Sequence, residues 1–362
     1  GGGGGGRGMV FFSRPPVSGQ RYTSSDWLRN MRSLLLQSTV LTRISGHLLF
    51  NVVVALLGAS WFYGSPDTFL NLGAAGHVMV GTALSLLLVF RTSSAYDRFW
   101  EARKILQAVV DNCRGLARVA PTALPSRQGI DFARMIVVFP YMLRLHLTNR
   151  GQAPVGDSPE MHDVLRFFDN DQLKTVDSHF SKPFATLSIM NQMLHHSNAK
   201  FPGEAMEETL SLLPQRTVLQ RNVNNLAANV GACERIQGCP VPLYYSRHLS
   251  RFLTIWSATL PLVLAPMLHW WSVPVIAAIC WSLFSIEEVG HMVEEPFYAL
   301  PDDQVQTRRV ADVIKRDTVN IFKQQLGVDI ETRKLLDRRH GGAVGRQGGV
   351  VRPLMMSGMA YA

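Results

Sequence analysis

Two long stretches of the chain are almost free of charge. From Ile44 to Phe90 the only charged residue is Asp67, and from Phe252 to Ile286 there is no Asp, Glu, Lys or Arg. A helix that crosses a bilayer needs about 20 largely uncharged residues, so each stretch is long enough for two crossings and a turn. The pattern therefore predicts an all-α integral membrane protein with four transmembrane helices in two hairpins.

The first hairpin, residues 44–90, divides at a strong turn signal. Residues 44–63 are predicted to form the first helix, and Gly-Ser-Pro-Asp at residues 64–67 is typical of a turn. The second helix is predicted to begin at Asn71 or Leu72 and to end at Phe90, where the first arginine follows.

The first predicted helix of the second hairpin, residues 252–286, contains two prolines. Helices are predicted over residues 252–268 and 272–286, with Pro261 and Pro266 inside the first of them. Proline in a membrane helix frees backbone carbonyls that neighbouring groups must satisfy. We therefore expect this pair of helices to pack against protein more than against lipid.

The remaining segments are rich in charge and are predicted to lie outside the membrane. Charged and apolar residues are interleaved over 97–106, which predicts that the second helix continues out of the bilayer. Residues 136–147 are apolar but too short to span, which predicts a buried helix. The predicted segments are a basic N-terminal segment (1–43), a helical domain (91–251), an acidic element with a C-terminal helical segment (287–340) and a flexible tail (341–362).

The charge distribution predicts the topology. The net charge is +9, although charged residues make up only 17% of the chain. Basic residues lie in the N-terminal segment, the central domain and the C-terminal part, and two hairpins place all three on one face. The positive-inside rule makes that face cytoplasmic, or stromal in a plastid. No RNP pattern or zinc-finger spacing occurs in the sequence, so nucleic acid is not expected as a partner.

Three motifs in order resemble the bestrophin family of anion channels. They are FRTSSAYDRFWEAR at residues 90–103, VPLYY at 241–245 and SIEEVGHMVEEPF at 285–297. The signature residues within them are Arg98, Phe99, Trp100, Glu287, Glu288, Pro296 and Phe297. YTSSDWL at residues 22–28 is similar to the plastid branch, the voltage-dependent chloride channels of thylakoid membranes.

The resemblance implies a homopentamer with one pore on the fivefold axis, lined by residues 72–90. Matching to the family places a hydrophobic neck at Thr82, Leu86 and Phe90, and the i, i+4, i+8 spacing independently puts these residues on one helix face. Thr82 stands where relatives often carry an aliphatic residue, which predicts a wider outer ring. Pore-flanking candidates are Gly76, Met79, Ala83 and Arg91, the last as a positive charge beside the neck or as a positive stop at the membrane edge.

The same resemblance implies passive anion flow without a required cofactor and without a nucleotide. Chloride is the expected permeant ion, with bicarbonate or nitrate as alternatives. A chloroplast thylakoid location with both termini in the stroma is expected, where anion movement would adjust the electrical part of the proton-motive force. A bicarbonate channel that supplies inorganic carbon to the thylakoid lumen is the alternative function.

The acidic cluster after the last predicted helix has three interpretations. Glu287, His291 and Glu294 share a helix face, as metal ligands do in helix bundles, which is the basis for an alternative membrane-bound metal enzyme. Calcium is a second interpretation, with Glu294, Glu295, Asp302 and Asp303 as candidate ligands. The acidic run is shorter than in animal bestrophins, which argues against calcium activation. The third interpretation is a solvated face that pairs with arginines of a neighbouring subunit.

Overall fold

The computed structural model describes residues 39–149, 154–155, 162–199, 206–297, 307–327 and 330. The N-terminal segment up to residue 38, the tail from residue 341, and Asp302 and Asp303 lie outside these residues. Regular secondary structure in the described part is helical, as predicted. The longer helices are α1 (Thr39–Gly64), α2 (Ala74–Ala123), α3 (Ser126–Asn149), α6 (Lys182–Ala199), α7 (Met206–Gly238), α8 (Leu243–Leu268), α9 (Ser272–Glu294) and α10 (Thr307–Leu326). The two short helices are α4 (His162–Leu165) and α5 (Asn170–Ser178).

Three stretches of the described chain are long and apolar enough to cross a membrane. They are Val40–Gly64, Ala74–Ala123 and Leu243–Glu294, and few of their residues are buried inside the protein. The third stretch contains α8 and α9, which are joined by a 3-10 turn at His269–Trp271, where His269 has a φ of 52°. Helices that expose apolar side chains on most of their surface are suited to a lipid or protein environment and not to water.

Three helices begin or end at other residues than the apolar stretches of the sequence predict. α2 begins at Ala74 and not at Asn71 or Leu72, because Gly73 turns the chain with a φ of 68° and donates its N–H to the Asn71 side chain. α8 begins directly after Pro242 and not at Phe252. α9 continues past Ile286 to Glu294. Helices end where backbone hydrogen bonding stops, which charge does not mark.

The chain forms two compact units. Unit 1 holds residues up to Ser93 together with Pro242–Met292, and unit 2 holds Ser94–Val241 together with residues from Val293. α2 is one continuous helix of 50 residues that belongs to both units.

The core of unit 1 is formed by α1, α2, α8 and α9. Leu84 and Leu88 of α2 are buried in one cluster with Leu253 of α8 and Phe284 of α9. α1 packs against α8. A Cβ on Gly58 would lie 2.7 Å from the Cβ of Pro261, so the two helices are in close contact there. α8 remains helical through both of its prolines and buries Pro261.

The core of unit 2 surrounds α3. Phe132, Ile136, Phe139 and Met142 of this helix are fully buried, in agreement with the helix predicted over residues 136–147. α3 packs against α6 and α10. The Tyr141 hydroxyl donates a hydrogen bond of 2.7 Å to Asp312 of α10, which fixes α10 to the centre of this unit.

Candidate ion-conducting site

The first half of α2 packs along a narrow stripe. The residues of this stripe recur at spacings of three and four, as a single helix face requires. They are His77, Gly81, Leu84, Leu88 and Arg91, of which Leu84, Leu88 and Arg91 are fully buried. The stripe faces α8 and α9: Trp256 contacts it at His77 and Gly81, and His291 contacts it at Arg91. This is the back face of α2.

The three predicted neck residues lie on the opposite side of the helix. A helix turns by about 100° per residue, so each of Thr82, Leu86 and Phe90, two residues from a buried leucine of the back face, points about 160° away from that leucine. All three are exposed, Leu86 by 56% and Phe90 by 59% of its surface. We call this side, defined by Thr82, Leu86 and Phe90, the neck face. None of the residues that the structure describes covers this face.

The flanking candidates share the exposed side, with one exception. Gly76 and Ala83 are exposed, and Met79 exposes 75% of its surface. Arg91 is 2% exposed and belongs to the back face. Its Nη2 lies 2.7 Å and 2.9 Å from the two ring nitrogens of His291. Its charge is therefore directed into the subunit, and not along the neck face.

Thr82 is less polar in its setting than its residue type suggests. Its hydroxyl donates a hydrogen bond of 2.9 Å to the carbonyl of Val78, one turn earlier in α2. Threonine in a helix often satisfies its hydroxyl in this way. With the proton engaged, Thr82 presents a methyl group and an acceptor oxygen on the neck face, and no free donor for an anion.

The acidic cluster is only partly solvated. Glu287 and Glu294 are buried, and Glu288 forms a salt bridge of 2.9 Å with Arg43 of the same chain. Glu294 accepts a hydrogen bond of 3.2 Å from the backbone N–H of Val241. The interpretation of a uniformly solvated face is therefore wrong for Glu287 and Glu294. Their helix packs that side against protein, which the charge run alone did not indicate.

The metal-enzyme alternative finds no support in the geometry. Among the described residues, no group of three or more His, Cys, Asp or Glu side chains is placed to hold a metal ion. His291 contacts Arg91, and a cation beside it disfavours a second cation. Glu295 is exposed at the end of the cluster.

The signature arginine Arg98 binds backbone carbonyls inside unit 2. It donates hydrogen bonds to Ile236 (2.7 Å) and Cys239 (2.5 Å) at the end of α7, and to Glu294 (3.2 Å) at the end of α9. Phe99 packs against the core of unit 2, Trp100 is half exposed, and Pro296 and Phe297 are buried. Arg98 therefore connects two helix ends, whereas Phe99 and Phe297 contribute to the core of unit 2.

Sequence reasoning missed the residues behind the neck face. His77, Gly81 and Trp256 were not singled out, although a glycine inside an apolar helix often marks close approach of another helix. Gly81 gave this signal. The sequence did not indicate which residue contacts Gly81, because Trp256 lies far away along the chain.

Known proteins similar to this chain agree on one family. The family described as "Bacterial/Fungal Bestrophin protein" matches residues 20–318. A voltage-dependent anion channel-forming protein of Nostoc is 33% identical over 63% of this chain and 71% of its own length. Voltage-dependent chloride channel 2, chloroplastic, of Arabidopsis thaliana is 30% identical over 78% of this chain and 70% of its own length. A solved bacterial bestrophin homologue from Klebsiella pneumoniae shares the fold, with a TM-score of 0.66 at 21% identity over 77% of this chain and 98% of that one. The chain belongs to the bestrophin family.

Proposed function

We propose that the protein is a passive anion channel in which five copies of the chain surround one pore with their neck faces. The single observation that carries this proposal is the sidedness of α2. Leu86 and Phe90 are exposed opposite a back face that packs against α8 and α9, so this apolar side is available to line a shared axis. The names of the Nostoc and Arabidopsis relatives, an anion channel and a chloride channel, support the same function.

The proposed neck selects by dehydration. Rings of Thr82, Leu86 and Phe90 form an apolar constriction, and such constrictions gate by dewetting. Aromatic ring edges are electropositive, so Phe90 favours anions over cations. Because Thr82 offers no free donor, large anions that shed water easily are expected to pass better than chloride. Thiocyanate and iodide should therefore exceed chloride in relative permeability.

We further propose four membrane crossings, with α1, α2, α8 and α9 as the spans and both termini on the stromal side. α8 has 26 residues and α9 has 23, so each is long enough to cross alone. The chloroplastic names of two Arabidopsis relatives support a plastid location. In the thylakoid membrane, anion flow through the channel would convert the electrical part of the proton-motive force into a pH difference.

The test is electrical recording from purified protein in planar bilayers. Leu86→Ala with Phe90→Ala should widen the neck and raise conductance or leak. Leu57→Ala is the matched control, because Leu57 is 66% exposed on α1, away from the neck face. Reversal potentials should follow the chloride gradient without proton coupling, and native mass spectrometry should give a pentamer.

The possible outcomes separate the parts of the proposal. A wild-type protein without current would refute the channel. Currents that are unchanged in a folded Leu86→Ala, Phe90→Ala variant would remove these residues from the constriction. A monomer or dimer with the neck face in lipid would refute the fivefold arrangement.

A further inference from the structure

The back face of α2 is held by one tryptophan at the height of the first neck residue. Trp256 of α8 stacks on the imidazole ring of His77, with ring centroids 4.8 Å apart and planes inclined by 18°. Its indole N–H donates a hydrogen bond of 3.2 Å to the backbone carbonyl of His77. The edge of the indole formed by Cζ2, Cε2 and Nε1 lies against Gly81, the residue immediately before Thr82.

The glycine is what allows this contact. A Cβ on Gly81 would lie 3.0 Å from Cζ2 of Trp256 and 3.4 Å from Cε2 and Nε1. With hydrogen in place of the side chain, the indole lies directly on the backbone of α2. Small residues at helix contacts in membranes permit this close approach.

The indole is a rigid spacer between the two helices. An aromatic ring is not compressible, and well-packed interiors transmit a change in volume to their surroundings. Stacking on His77 and the hydrogen bond to its carbonyl fix the ring in position as well as in orientation. The size of the indole therefore sets the distance between α2 and α8 at the height of Thr82.

We propose that Trp256 is a positioning residue for the neck: the indole between α8 and Gly81 determines how far Thr82 reaches toward the pore axis. The inference rests on the proposed channel function. Thr82 points away from α8. A larger distance between α2 and α8 therefore moves Thr82 toward the pore axis, and a smaller distance moves it away from the axis. In a ring of identical subunits every copy moves in the same sense, and the change in diameter is twice the movement of one helix.

Two substitutions should change the distance between α2 and α8 at Gly81 in opposite directions. Gly81→Ala places a methyl group 3.0 Å from Cζ2, so the indole must move away from α2 by a few tenths of an ångström, and we expect α8 to move with it. Trp256→Phe removes the atoms that this methyl group would meet, together with the indole N–H. The first change should narrow the outer ring, and the second should widen it. The double variant should restore the contact, because the new methyl group occupies the space left by the shorter ring.

The experiment measures anions of graded size in planar bilayers. Chloride, nitrate, iodide, thiocyanate and gluconate are compared for wild type, Gly81→Ala, Trp256→Phe and the double variant. We expect Gly81→Ala to lower the permeability of the larger anions relative to chloride, and Trp256→Phe to raise it. The double variant should return close to wild type. The two single variants should therefore shift the permeability ratios in opposite directions, and the two shifts should cancel in the double variant.

The controls separate positioning from general damage. Trp271→Phe makes the same chemical change at an exposed tryptophan of the turn between α8 and α9, and should leave the ratios unchanged. If Trp256→Phe does not assemble, Gly81→Ser decides, because it adds a Cβ at the same place and leaves Trp256 intact. It should then lower the permeability of large anions as Gly81→Ala does, and unchanged ratios in both would overturn the proposal.

The experiment distinguishes failure of the positioning role of Trp256 from failure of the proposed channel function. If Gly81→Ala and Trp256→Phe shift the permeability ratios in the same direction, or the double variant stays far from wild type, in a protein whose currents respond to Leu86→Ala, the positioning role is overturned and the channel is left intact. Silence of the wild-type protein would refute the proposed function instead. Compensation in the double variant supports the positioning role, since general destabilisation predicts two losses that add.

Discussion

Replacing Arg98 with methionine tests whether this signature residue connects the helices of unit 2. Methionine keeps an apolar stem of similar length and removes the guanidinium. Three hydrogen bonds are lost, to the carbonyls of Ile236, Cys239 and Glu294. Ile236 lies in the last turn of α7 and Cys239 follows the helix directly. Carbonyls at a helix end have no partner within the helix, and a cation there also interacts favourably with the helix dipole.

The magnitude follows from the number and setting of these bonds. Hydrogen bonds that involve a charged group contribute about 1.5–3 kcal/mol each, but Arg98 is partly exposed, and water can replace part of each contact. Taking about 1 kcal/mol per bond gives a loss of about 3 kcal/mol in the free energy of unfolding. For a cooperative unit of this size, about 2–4 °C per kcal/mol corresponds to a melting temperature about 6–12 °C lower.

The assay is thermal unfolding of the detergent-solubilised protein, followed by tryptophan fluorescence. Arg103→Met is the matched control, because Arg103 is exposed on the same helix and its loss changes the net charge equally. Arg98→Lys should fall between the wild type and Arg98→Met, since an ammonium group cannot span the carbonyls that a planar guanidinium reaches. A melting temperature for Arg98→Met within about 2 °C of the Arg103→Met value would show that the carbonyl contacts contribute nothing measurable.

Three further predictions concern other parts of the chain. Exposed Cys239 should react with maleimide at pH 8, whereas burial raises the pKa of Cys233 to about 12, so its thiol should stay protonated and unlabelled until denaturant is added, as read by mass spectrometry. Gly58→Ala should lower the unfolding free energy by about 1–3 kcal/mol, because the new Cβ overpacks against Pro261; Gly46→Ala, with open space around it, should not lower the melting temperature. Anion currents should persist in a calcium chelator, and their loss would restore the calcium interpretation.

The membrane helices were predictable because absence of charge is a strong signal. The helix ends were not, and α8 shows why. Residues 243–251 include Arg247 and Arg251, so the apolar stretch starts at Phe252, yet the helix starts at Leu243. Proline has no backbone N–H and suits the start of a helix, so Pro242 was the better marker. Charge describes the environment of a side chain, whereas the helix boundary depends on the backbone.

The orientation of Arg91 shows a second limit of the sequence. Adjacent to Phe90, it was predicted as a positive charge beside the neck or as a stop at the membrane edge. The structure buries it against His291, which is 200 residues away along the chain. Neighbours in a helix differ in direction by about 100°, so adjacency to a pore-facing residue places a side chain on another face. Only the fold could identify its partner.

The two contacts on the back face of α2 lie at the two ends of the proposed neck. Trp256 contacts the helix at Gly81, and His291 contacts it at Arg91. Thr82, Leu86 and Phe90 all lie between these heights, within about 15 Å of helix. The width of each ring then depends on both contacts, since a helix segment fixed at its two ends moves as a rigid rod. In the proposed channel, residues that never meet an ion would thus influence permeability, which is why the search for selectivity determinants should include the packed side of the helix.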